Sequence, residues 1–157
     1  MKKLAIIGAG ISGLFLGYML KNHYDITMFE KSRGTGGRMA SRRKDDFIFD
    51  HGAPFFTVKT KEFQDFLRYF IQEGIVAEWK ATFAQIENYE VKKIYKWGNG
   101  LKHFVSCPNL TSLSKILSID LNIVLNKLVT RIENYNKQNI LFSNDESLGA
   151  YDTNRAL

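Results

Sequence analysis

One cysteine, Cys107, is all that 157 residues contain. An internal disulfide is therefore excluded, and nothing points to an oxidising compartment. Cys107 reads as a small residue in or near the core. Proline is nearly as scarce, and no repeat, low-complexity tract or obvious linker breaks the chain. Hydrophobic and charged fractions of 45% and 24% are ordinary, so the chain is expected to fold as a globular protein, one domain by its length. Of the histidines, His23 and His103 lie in no metal-ligating or catalytic spacing. No metal site is expected.

Acidic residues are missing from one stretch. Between Lys31 and Lys44 stand Lys31, Arg33, Arg38, Arg42, Arg43 and Lys44 with no acid among them, and those six cations equal the whole net charge of +6. Such a patch requires an anion: nucleic acid, an anionic membrane surface or the phosphates of a cofactor. Nucleic acid is disfavoured, because the arginines sit among glycines, form no helical stripe and carry no nucleic-acid-binding signature.

Only one long apolar run is present, from Leu4 to Leu20 in KKLAIIGAGISGLFLGYMLKN. As a signal peptide it lacks a small-x-small cleavage site. As a membrane span it is marginal in length and interrupted by four glycines. As strand, turn and helix every letter has a task. Leu4–Ile7 reads as a buried strand and Ile11 to about Asn22 as a helix. Gly8 allows the tight turn, Gly10 lets backbone approach a pyrophosphate, and Gly13 lets helix and strand pack closely. The amides of Ile11, Ser12 and Gly13 then face the phosphates, aided by the helix dipole. A second strand, Asp25–Glu30, ends in an acid seventeen residues after Gly13. At that spacing Glu30 accepts hydrogen bonds from a ribose diol and repels a ribose 2′-phosphate, which argues against NADP. The run is thus expected to bind a dinucleotide and not to enter a membrane.

Further along, residues 31–45 read as a glycine- and arginine-rich loop without hydrophobic periodicity, and Phe47–Phe49 as a short strand. From Lys61 to Glu73, Phe63, Phe66, Leu67, Phe70 and Ile71 recur at helical spacing, with Gly74 as the stop. Strand-like stretches fill 75–97 up to Trp97. A helix is expected near Leu110–Leu117, followed by strands around LNIVL, KLVTRIE and NILF.

The stretch EKSRGTGGRMASRR, with Gly36-Gly37-Arg38 starting six residues beyond Glu30, and the later FDHGAPFFT together resemble the flavin-dependent amine oxidase superfamily. Within it they look most like the renalase-like branch of FAD/NAD(P)-binding oxidoreductases. Pro108-Asn109-Leu110-Thr111-Ser112-Leu113 resembles a Pro-x-Met-x-x-Leu segment of that branch. The resemblance implies an α/β fold: a Rossmann-type FAD-binding βαβ unit with an inserted, incomplete α+β substrate-domain portion. The expected parts are 1–60 for FAD binding, 61–149 for the partial substrate portion, and 150–157 for the start of a return to the first domain. It also implies FAD as cofactor. Arg38 is the first choice for the pyrophosphate, with Arg33 and Lys31 beside it. Gly36 and Gly37 pass close to the ribityl phosphate, and Met39 leads towards the flavin ring. Gly52, Ala53 and Pro54 are expected near the isoalloxazine. Relatives often carry glutamine at the position of Pro54, and proline supplies neither a side-chain donor nor a backbone N–H. Arg42, Arg43 and Lys44 read equally well as a solvated face or as cofactor contacts. His51 reads as a structural histidine at a strand end.

The implied chemistry is hydride transfer from an amine or a dihydronicotinamide-type substrate to flavin, with O2 as acceptor. Because such transfer depends on placing the donor carbon over the ring, no catalytic residue is named. Phe55, Phe56, Trp79 and Trp97 are candidate pocket aromatics, but ordinary core or surface packing is the favoured reading of each. The resemblance further implies that the chain corresponds to about the N-terminal half of such a protein. Two outcomes follow: a flavoenzyme, alone or completed by a second chain, or a non-catalytic remnant that at most binds FAD or another adenine dinucleotide. With no secretion signal, the cytoplasm is the expected location.

Overall fold

The computed structural model describes residues 1–96 and 100–152. In chain order the elements are β1 (Lys2–Ile7), α1 (Ile11–Leu20), β2 (Tyr24–Phe29), a 3-10 turn (Gly37–Met39), β3 (Ser41–Lys44), β4 (Phe47–Asp50), β5 (Phe56–Thr57), α2 (Lys61–Gln72), β6 (Val76–Glu78), β7 (Thr82–Glu87), β8 (Glu90–Lys96), β9 (His103–Ser106), α3 (Thr111–Leu117), β10 (Asn122–Val124), β11 (Arg131–Tyr135), β12 (Gln138–Ser143) and β13 (Glu146–Asp152). They form two compact units, 1–40 with 114–157 and 41–113, where the length alone suggested one. The boundaries fall at 40/41 and 113/114, whereas the sequence reading drew them at 60 and 149.

In the first unit β1 pairs in parallel with β2, and β2 with β10, in the order β1-β2-β10. Parallel strands need a crossover between them, and α1 supplies it from β1 to β2. The helix packs down because Gly17 has no side chain. A Cβ there would lie 3.0 Å from Leu121 and 3.2 Å from the Met28 sulfur. A second sheet, the antiparallel β11-β12-β13, closes around Phe29, Leu141 and Tyr151, with the Phe29 and Tyr151 rings edge to face at 6.1 Å. Each such side chain taken fully out of water contributes about 1.5–3 kcal/mol.

The second unit centres on α2 and the antiparallel sheet β5-β9-β6. The helix starts at Thr60, whose hydroxyl oxygen accepts the Phe63 N–H at 3.2 Å, and stops at Gly74 with φ 70°. Leu67 and Phe70 of α2, Val76 of β6 and Phe104 of β9 are all buried; Ile71, expected in the stripe, is exposed.

Two expectations change. Residues 41–44 are not loop: they form β3, paired with β4 in the register Arg42↔Phe49 and Lys44↔Phe47 around the left-handed Asp45. Side chains from a distant part of the same unit hold this hairpin. Ser41 N–H donates to Thr111 Oγ1 at 2.7 Å, Ser41 Oγ donates to Asp50 Oδ1 at 2.5 Å, and Leu110 N–H reaches both Asp50 oxygens at 3.2 Å. The stretch from Ala150, read as beginning something undeveloped, completes β13, and Lys3 N–H donates to Asp152 Oδ2 at 2.7 Å. Trp97 and Thr153–Leu157 lie outside the described residues.

Candidate dinucleotide-binding site

The apolar run that opens the chain resolves into strand, turn and a ten-residue helix, and no helix among the described residues is long and apolar enough to cross a membrane. The glycines explain the turn. Gly8 adopts φ 96°, a conformation L side chains rarely take, and its N–H donates to Phe29 O at 2.8 Å, fastening the turn to the end of β2. At Gly13 a Cβ would stand 2.1 Å from the Gly8 carbonyl oxygen, so helix and turn can be this close only with glycine. Gly10 caps α1 without a side-chain hydrogen bond, and Leu14 N–H is the first helical amide to bond back, to Gly10 O at 2.9 Å. By helix geometry the amides of Ile11, Ser12 and Gly13 find no acceptor within the helix, and together with the dipole they form an anion-binding end.

The second glycine motif lies directly against the first. Gly36 N–H donates to Ala9 O at 2.8 Å, Gly36 forms a parallel bridge with Gly10, and a Cβ on Gly37 would lie 3.2 Å from Gly10 Cα. Gly36 and Gly37 take φ of 110° and 55°, which turns the chain into the 3-10 segment carrying Arg38 and the buried Met39. Two loops in backbone-to-backbone contact explain a requirement for glycine on both sides.

Glu30 ties these parts together. It is 7% exposed; Oε2 accepts the Ala9 N–H and Oε1 the Ser32 N–H, both at 2.8 Å. Burial alone would raise the Glu30 carboxyl. The Ser32 and Ala9 amides, the Ser32 hydroxyl and the charge of Lys31 outweigh it and hold the group below its ordinary value. An ionised carboxylate has about four acceptor positions; the two amides and the Ser32 hydroxyl take three of them, so about one remains for a ribose hydroxyl.

These residues fit a dinucleotide. A Cβ on Gly8 or Gly10 would meet nothing within 4 Å, which leaves a ligand free approach to backbone at the start of α1. Arg33 and Arg38 are exposed, with no acidic partner among the described residues, and Lys31 is exposed beside Glu30. Gly52, Ala53 and Pro54 belong to the second unit, on the connection between β4 and β5, and are exposed or half-buried. His51, in the same connection, is exposed just past β4.

Residues 6–70 match the NAD(P)-binding Rossmann-like domain family. The chain is 34% identical over 76 residues to the 4,4'-diapophytoene desaturase (4,4'-diaponeurosporene-forming) of Staphylococcus aureus strain MRSA252, a match covering 41% of this chain and 15% of that protein. Only that 15% of the curated relative's length is spanned. Among solved structures, a protein assigned as a protoporphyrinogen oxidase from Exiguobacterium sp. 255-15 superposes with TM-score 0.71 at 12% identity, over 97% of this chain and 58% of that one. A protein assigned as an FAD-containing monooxygenase from Photorhabdus luminescens subsp. laumondii TTO1 gives TM-score 0.58 at 19% identity, over 97% of this chain and 38% of that one. At these identities the likeness is one of fold.

The aromatic candidates separate. Phe56 stacks on Phe104 at 6.2 Å and meets Phe63 at 6.1 Å, which is core packing. Phe55 lies 5.6 Å from Trp79, and Trp79 borders a cavity of about 520 Å³ in the second unit together with Lys80, Lys96 and Lys102. Three contributions escaped the sequence reading. Gly17 carries no motif label, the Ala9 amide is a backbone donor that any residue type supplies, and Ser32 acts through its position two residues after the acid. Only the last leaves a signal, a hydroxyl residue next to a strand-ending carboxylate.

Proposed function

We propose that the chain is an FAD-dependent oxidoreductase of the renalase-like, amine oxidase type, acting on an amine or a dihydronicotinamide-type substrate with O2 as electron acceptor. The contact of the two glycine loops at Gly10 and Gly36, closed beneath by Glu30, carries this reading. A dinucleotide bound through the first motif alone has no use for a second glycine loop. The α1 amides and Arg38, supported by Arg33 and Lys31, hold the diphosphate, and Glu30 holds the adenosine ribose. Gly36, Gly37 and Met39 lie along the ribityl side, and Gly52, Ala53 and Pro54 are the proposed neighbours of the ring. Bound FAD supplies the hydride acceptor and the route to O2. The protein's own task is to bind, orient and exclude water.

A second reading, binding of FAD or another adenine dinucleotide without catalysis, is supported by the family match, which is to an NAD(P)-binding domain and spans residues 6–70. Titration with FAD, NAD+ and NADP+ tests the site: FAD should bind most tightly and NADP+ least. Anaerobic addition of amines and dihydronicotinamides then separates the readings. Bleaching with peroxide on re-aeration supports the enzyme, and a stable yellow colour supports the binder.

A further inference from the structure

Ser114 is 0% exposed, and its hydroxyl has no hydrogen-bond partner among the described residues. It stands in α3, where a serine ordinarily bonds the carbonyl four residues back. Ser114 does not. Its oxygen faces the second glycine loop instead: a Cβ built on Gly36 would lie 3.2 Å from Ser114 Oγ and 3.5 Å from Ser114 Cβ. This is the same Gly36 whose N–H holds Ala9 O and which bridges Gly10. A buried hydroxyl without an acceptor destabilises a fold, and alanine would fill the place without that cost. The loop it faces carries backbone carbonyls that can serve as acceptors. Its left-handed Gly36 and Gly37 can turn their peptides without side-chain hindrance.

We propose that Ser114 is a positioning residue of the dinucleotide site: its hydroxyl clamps the Gly36–Gly37 loop from beneath when a bound diphosphate turns a peptide of that loop and brings a carbonyl to it. This rests on the dinucleotide reading above. A bond made only in the bound state adds to ligand affinity and nothing to the free fold, so the two effects separate.

The test uses the full chain, wild type and the variants Ser114→Ala and Ser114→Cys. Thermal unfolding is followed without ligand, FAD affinity by quenching of flavin fluorescence, and amide exchange at Gly36 and Gly37 with and without FAD. Ser114→Ala should unfold no lower than wild type without ligand, yet bind FAD about threefold to tenfold more weakly. FAD should protect the two glycine amides less in this variant than in wild type. Ser114→Cys, whose thiol is a weak donor, should fall between the two. Equal FAD affinity in Ser114→Ala and wild type overturns the clamp while leaving the dinucleotide site standing. A loss of affinity accompanied by an equal loss of ligand-free stability overturns it too, as a packing effect. Absence of FAD binding by wild type overturns both.

Discussion

At Glu30 one carboxylate ties two segments together, accepting the Ala9 amide of the first glycine turn and the Ser32 amide just past β2. Its folded-state proton affinity is lowered, so the unfolded chain takes up the proton more readily. The stabilisation is therefore complete above the unfolded value of about 4.3 and is lost as pH falls through the still lower folded value. Denaturant unfolding followed from pH 7 down to pH 3 should show this acid loss, and Glu30→Gln should flatten part of it. At pH 7 the same variant should be less stable by about 1–3 kcal/mol, since one backbone amide then faces an NH2 group. Gly13→Ala poses a purely steric question. With its Cβ 2.1 Å from a backbone oxygen, it should cost about 1–3 kcal/mol or more in urea unfolding and weaken FAD binding as the turn shifts. Gly8 and Gly13 were readable in the sequence because so tight a turn from strand to helix admits few residue types. Gly17 and Ser114 were not, since each answers to a neighbour far along the chain: Leu121 for one, Gly36 for the other.

Among the elements, α2 was legible almost to the residue, because an aromatic stripe at helical spacing between a threonine cap and a left-handed glycine has one reading. Thr60→Ala should lower stability by about 1 kcal/mol, measured by thermal or urea unfolding, without touching the dinucleotide site. β3 was hidden for the opposite reason. Ser41-Arg42-Arg43-Lys44 shows no alternation, and the strand is held by Asp50, Leu110 and Thr111 rather than by burial. β13 was read only from its last residues, since its Glu146–Leu148 portion is mostly exposed and its pairing partner, β12, fixes its register.

For the whole molecule, the sequence anticipated more than one part by motif; by contact the chain divides just after the 3-10 turn and within α3. A helix apolar all round is normally buried, yet α1 leaves Phe15, Leu16 and Met19 exposed. Exposed apolar side chains grouped this way favour association. Sedimentation velocity should show concentration-dependent self-association, which Leu16→Glu should reduce; a wild-type monomer unchanged across concentrations would contradict this. What the two glycine loops hold is measured most directly by titration of the purified chain with FAD, followed by flavin fluorescence and by the yellow absorbance retained after desalting. Saturable binding near one FAD per chain, weakened by Glu30→Gln and by Arg38→Ala, is the predicted result. A chain that stays colourless, leaves flavin fluorescence unchanged and binds neither FAD nor NAD+ would contradict the account.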